Sequence, residues 1–246
     1  KNFLFKIKLA PVKSLHIRLI NGNISGITRF KLLLPGTRNS HHEVFTTVLF
    51  EKLGIIAPYT KIIEVNINGY DTTMLFQEVP EKELLERFSL REAPILEGDE
   101  RQYYTNYINK SGRSLCCTAR LDNSKWLHDG SIIRYNIVQN GLSLFTSIVL
   151  QGDEDIDNSG HHKFVLEDKS FREIMLFLNA GHGLSAHNRK FYFDPIYNKL
   201  LPIYYDGDPE LTSNDEFNVK NISENFRSII LNDNFISDVM DEYFVR

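Results

Sequence analysis

The chain has only two cysteines in 246 residues, and they are neighbours, Cys116 and Cys117. Adjacent cysteines seldom close a disulfide because the geometry is strained, and no metal-type cysteine spacing is present. The pair reads as two small, semi-buried side chains. No run of about 18 apolar residues occurs, so no segment reads as a membrane-spanning helix. A surplus of one charge is also missing: 28 Lys and Arg face 32 Asp and Glu, for a net −4. That balance gives no general pull towards nucleic acid or an anionic membrane, and any anion-binding patch must be local. The phosphate loop G-x-x-x-x-G-K-[ST] and the nucleophile elbow G-x-S-x-G are both absent, which removes P-loop and Ser-His-Asp hydrolase chemistry from consideration. The chain opens on Lys1, with no charged-then-apolar leader after it, and reads as a fragment or a processed product.

What is present is ordinary globular composition, 42% hydrophobic and 24% charged. Three N-x-S triplets, at Asn23, Asn109 and Asn221, would accept glycans in a secreted protein. Strand signals dominate the start. Phe3–Leu9 alternates apolar and polar positions, Asn21-Gly22-Asn23 supplies a turn, and Ile27–Leu34 follows as a strand closed by Pro35-Gly36. Ser40-His41-His42-Glu43 matches a capping box, and Phe45, Val48, Leu49 and Leu53 then share one helical face that ends at Gly54. Lys61–Ile67 and Thr73–Gln77 form a hairpin about Asn68-Gly69. Glu81–Phe88 is a short charged helix.

Residues 90–130 are polar, and read as an insertion or a loosely packed helical region. Asn136–Leu150 reads as a buried helix, and residues 151–163 as a loop. Ser170 caps another helix, with Glu173 in the capping-box position. Lys190–Asp194 and Leu200–Tyr205 are two short strands, and the tail from Ser213 becomes amphipathic. The expected fold class is therefore α+β. A β-rich lobe over residues 1–78, holding one helix, precedes a mostly helical lobe over residues 79–246, the two-lobed order of the protein-kinase-like fold. The junction falls near Phe76–Pro80.

The segment from Gly181 to Pro209, GHGLSAHNRKFYFDPIYNKLLPIYYDGDP, carries the densest chemistry. Phosphoryl transfer needs oxygen ligands for Mg²⁺ and a group that orients the acceptor hydroxyl. An Asn closing one loop and an Asp after a hairpin can place two oxygens on one metal. Asn188 and Asp206 fit that pattern, with Asp208 as a second carboxylate; the turn chemistry of Asp-Gly-Asp-Pro is the competing explanation. A two-His, one-carboxylate metal site drawn from His161, His162, His182, His187 and Asp206 lacks any compact His spacing.

Taken together, FKLLLPGTRN, LGIIAPYT, VNINGYDTTMLFQE, HNRKFYFDP and LLPIYYDGD resemble the CotH family of spore-coat proteins, atypical kinases, over roughly residues 15–210. The resemblance implies a fold with nucleotide bound between two lobes, ATP and Mg²⁺ (or Mn²⁺) as cofactors, and a protein acceptor phosphorylated on Ser, Thr or Tyr. It implies Lys31 on the phosphates, Glu43 as that lysine's helix partner, and backbone around Phe76, Gln77 and Glu78 beside the adenine. Asn188 and Asp206 become the catalytic-loop asparagine and the metal aspartate. The general kinase pattern puts an acceptor-positioning aspartate five residues before the Asn, where this chain has Gly183. His182 or His187 would then assist the acceptor, or the chain is a pseudokinase-type binding module. Relatives suggest a surface or secreted setting.

Overall fold

The computed structural model describes residues 13–98, 119–151, 169–185, 188–211 and 223–246. They form a mixed α+β molecule with two four-stranded antiparallel sheets and six α-helices. The first sheet holds β1 (Leu15–Arg18), β2 (Arg29–Leu33), β3 (Thr60–Ile67) and β4 (Tyr70–Glu78) in the order β1-β2-β4-β3. The period-2 rule assigns its faces. Phe30 and Leu32 enter a core with Ile27, Met74 and Phe76, which leaves Arg29 and Lys31 on the opposite face. The β3–β4 hairpin turns at Asn68 (φ 53°) and Gly69 (φ 88°), the two positive-φ positions a type I′ turn requires.

Helix α1 (His41–Lys52) lies between β2 and β3 in the chain, but it is not held by the expected capping box. Ser40 has φ 47° and makes no side-chain cap bond. Glu43 is 0% exposed and turned inward. Burial of its carboxylate among polar partners takes the place of a local bond to the helix end. The helix packs through Val48, Leu49 and Phe50 against Phe171, Ile174, Met175, Tyr204, Phe226 and Val239, so the strand-rich half and the later helices share one core.

After α2 (Lys82–Arg87), the stretch expected to be insertion supplies two strands, β5 (Ile95–Gly98) and β6 (Ala119–Leu121). They pair with the later hairpin of β7 (Lys190–Asp194) and β8 (Lys199–Ile203) in the order β6-β5-β7-β8. The half of the chain expected to be mostly helical thus contains a complete sheet. Asn123 locks its edge, accepting from Ile95 N at 2.8 Å and donating to Ala93 O at 2.9 Å. Helix α3 (Ile132–Gln151) covers this sheet through Phe145 on Leu96, Phe191 and Phe193. Its first turn is not buried: Ile132, Ile133 and Tyr135 are exposed.

Helix α4 (Lys169–Phe177) contains Ser170 in its first turn rather than at its cap, and Glu173 instead accepts from Ser223 N at 3.2 Å. Helices α5 (Glu224–Ile230) and α6 (Asp233–Val245) close the helical layer. No helix among the described residues is long and apolar enough to cross a membrane. The expected strand at Phe3–Leu9, the expected loop beyond Gln151, which itself ends α3, the cysteine pair and the glycan sites Asn109 and Asn221 lie outside the described residues.

Candidate functional site

The two sheets face each other across a cleft of about 240 Å³. The first sheet contributes His16, Arg29 and Lys31; the second contributes Glu97, Arg120 and Lys190. Val79, Pro80 and Glu81 line it where the chain crosses from one sheet to the other, and Arg38, Asp122, Asn188, Tyr205 and Asp206 complete the wall. The lining is strongly polar and mixes cations with carboxylates.

Tyr205 is the hub of the cations. Its hydroxyl accepts from Lys31 Nζ. The Lys31 and Lys190 ammonium groups lie 5.1 and 4.6 Å from its ring centroid, and the Arg38 guanidinium 4.7 Å away, within cation–π range. Burial alone would raise the phenol, but Arg38, Lys31 and Lys190, with the bond from Lys31, hold it below the ordinary tyrosine value. Lys190 is 5% exposed, yet its ammonium is held above the usual lysine value: Asp122, at 2.6 Å, and Glu97 outweigh its desolvation. Lys31 differs from Lys190 in having no carboxylate within ion-pair distance among the described residues. Burial and then the Lys31 and Arg29 charges lower the His16 imidazole, which is therefore neutral at pH 7.

Beneath Tyr205 runs a buried polar chain. Glu43 accepts from Gln77 Nε2 at 2.8 Å and from the Tyr204 hydroxyl at 2.5 Å, and Gln77 accepts from Arg38. Arg38 is 3.9 Å from Glu43 and reaches Asp206 Oδ1 through Nε at 3.1 Å. Burial raises the Glu43 carboxyl to about 7, against the pull of Arg38, Tyr204 and Gln77. The Tyr204 hydroxyl is raised by burial and by the Glu43 charge.

Lys31, Asn188 and Asp206 thus line one cleft. Glu43 and Gln77 sit in the chain beneath it, and Lys31 bonds Tyr205 instead of Glu43. The helix glutamate's cationic neighbour is Arg38. Glu78 points away from the cleft, to Tyr59 N at 2.9 Å and Arg87 at 2.6 Å. His182 is exposed and outside the cleft lining, although its carbonyl accepts from Asn188 Nδ2 at 3.1 Å. Asp208 is exposed and also outside the lining. His187 lies outside the described residues.

Gly183 explains its own departure from the kinase pattern. A Cβ there would lie 2.7 Å from Met175 Cε and 2.8 Å from the Tyr205 carbonyl oxygen, with Gly207 Cα at 3.1 Å. The loop before Asn188 presses directly on the Tyr205–Gly207 backbone, so no side chain fits.

A divalent cation is testable on the donors alone. Mg²⁺ characteristically uses one or two protein oxygens and completes its shell with phosphates and water. Asp206, with the Asn188 amide oxygen left as acceptor once Nδ2 has donated, is a set of that size. Among the described residues no group of three or more His, Cys, Asp or Glu could form an all-protein cage. The set fits a cation that arrives with a polyphosphate.

Sequence reasoning missed Arg38, Lys190, Tyr205, Glu97 and Asp122. The first three stand inside the motifs quoted for the family resemblance, but nothing local says that three cations share one phenol. No family model matches this chain, and no curated protein matches it significantly.

Proposed function

We propose that the cleft binds ATP with Mg²⁺ or Mn²⁺, and that the protein is an atypical kinase of the CotH type acting on Ser, Thr or Tyr of a protein acceptor. The observation that carries this reading is the meeting of Lys31, Asn188 and Asp206 in one cleft between two sheets. Lys31, bonded to the Tyr205 hydroxyl, is a cation suited to phosphate oxygens. Arg29 and Arg38 add further positive charge on the same side. Asn188 and Asp206 would hold the divalent cation, which when bound supplies charge neutralisation at the phosphates. Val79–Glu81, which line the cleft at the crossing, would lie beside the base, next to the Gln77 and Glu78 backbone. A first sheet carrying one helix, a second unit of sheet and helices, and a polar cleft between them are compatible with the two-lobed kinase-like fold.

The alternative is a pseudokinase-type module that binds nucleotide or a protein partner without transferring phosphate. The closed position at Gly183 favours it, since no carboxylate stands where the kinase pattern positions the acceptor. His182, exposed and outside the cleft lining, and His187 are the groups the sequence offers to assist an acceptor hydroxyl.

Transfer of a radiolabelled γ-phosphate from ATP to the protein itself or to a generic acceptor separates the two. The kinase reading expects label in the wild type and none in Asp206→Ala. Label that survives in Asp206→Ala removes Asp206 from the site. Nucleotide binding with no label supports the binding module instead.

A further inference from the structure

We infer that Arg38 is a displaceable counter-ion for Asp206, competing with the divalent cation for that carboxylate and released onto the phosphates of an incoming nucleotide. The inference rests on the nucleotide reading above and adds to it a residue and an order of events.

Arg38 holds two carboxylates with unequal security. On one side, its guanidinium is anchored to Gln77 and lies 3.9 Å from Glu43, both fully buried. On the other, Nε reaches Asp206 Oδ1 at 3.1 Å, where the aspartate side chain is 26% exposed and lines the cleft. The inner contacts are shut off from solvent; the outer one can be exchanged. A buried guanidinium cannot shed its charge, so a divalent cation on either Asp206 oxygen would sit within a few ångströms of a fixed positive charge. Like charges at that range in a partly desolvated site repel strongly. Metal alone therefore meets a carboxylate already neutralised and a cation that opposes it.

A triphosphate reverses the balance. It brings several negative charges to the wall where Arg38 and Lys31 both flank the Tyr205 ring, at 4.7 and 5.1 Å. The guanidinium fork can move its outer donor from Asp206 to a phosphate oxygen while its inner bonds persist. Asp206 is then open to the cation. Metal and nucleotide become linked ligands, each raising the affinity for the other by the same factor.

The test measures Mn²⁺ binding without nucleotide, by loss of the free-ion electron paramagnetic resonance signal, and ATP binding without metal, by calorimetry in chelator. Arg38→Gln is expected to bind Mn²⁺ alone roughly tenfold more tightly than wild type, a typical coupling magnitude, and to bind metal-free ATP more weakly. Arg38→Lys keeps the charge and should stay near wild type for Mn²⁺. A purely structural arginine would move the Mn²⁺ affinity the other way. Because Arg38→Gln strips a cation from buried Glu43, the double variant Arg38→Gln/Glu43→Gln removes both charges and should show the same tightening. Mn²⁺ affinity that fails to rise in both the single and the double variant overturns the counter-ion role. Tighter Mn²⁺ binding in Arg38→Gln with no ATP binding by wild type keeps the exchange at Asp206 and overturns the nucleotide reading.

Discussion

Glu43 has no exposed surface and three polar neighbours, and its burial outweighs their help enough to place its carboxyl near 7. The folded value lies above the unfolded value of 4.5, so the folded chain holds the proton more tightly than the unfolded chain does. Stability from this group is full below the unfolded value and falls as pH rises towards 7, by at most about 3 kcal/mol. Glu43→Gln keeps the shape without the charge, its one amide oxygen accepting from Gln77 and its NH2 donating to the Tyr204 hydroxyl oxygen in place of the bond it received. In denaturant unfolding it should gain on wild type steadily between about pH 5 and pH 8; a constant difference across that range would show that Glu43 does not titrate there. Gly183 supports a second prediction. Gly183→Ala must push against the Tyr205 carbonyl, which is backbone and cannot rotate away. The expected loss is about 1–3 kcal/mol, read as a lower melting midpoint. Gly183→Asp, which restores the kinase pattern in sequence, should be less stable still and gain no transfer activity. An active, stable Gly183→Asp would refute the packing argument.

The helix and strand elements differ in how much of them was legible. Phe30 and Leu32 alternate with Arg29 and Lys31, and that period alone gives β2 its two faces. Asn68-Gly69 gives the hairpin because few other pairs accept two positive φ angles. By contrast, Ser40 and Glu43 satisfy the capping-box pattern and do not form it, since burial with Gln77 and Tyr204 wins over a local bond. β5 and β6 escaped because β6 pairs with β5, whose other partner β7 lies 93 residues further on at Glu97 and Lys190, and polar Glu97, Arg120 and Asp122 face the cleft. At this scale the contact of α3 with the second sheet is testable. A Cβ on Gly141 would come within 2.9 Å of the Phe193 ring and 3.2 Å of Leu96 Cδ1. Gly141→Val should therefore lift α3 and cost about 1–3 kcal/mol, with slower unfolding and unchanged stability as the contrary result.

Across the whole molecule the mixed α+β class was readable from element order, but the second sheet was not. The cleft depends on that sheet. Lys31 and Arg38 come from one part of the chain and Lys190 and Tyr205 from another, and the shared core of α1 with Tyr204, Phe171 and Met175 helps bring them to one wall. Asn188 and Asp206 were legible as a pair because a single hairpin separates them. The cations around Tyr205 were not, since side chains drawn from both sheets carry no common local pattern. The net charge of −4 hides this local positive wall, so anion binding at the cleft should weaken with added salt, although less than at an exposed patch.

The most direct test of the central claim is thermal melting with ATP and Mg²⁺ together. A ligand that binds only the folded state adds about 2.7 kcal/mol at a hundred times its dissociation constant. The account predicts a raised midpoint at millimolar ATP with Mg²⁺ in wild type, and little or no rise in Lys31→Ala or Asp206→Ala. An unchanged wild-type midpoint, or an equal rise in all three proteins, would contradict it.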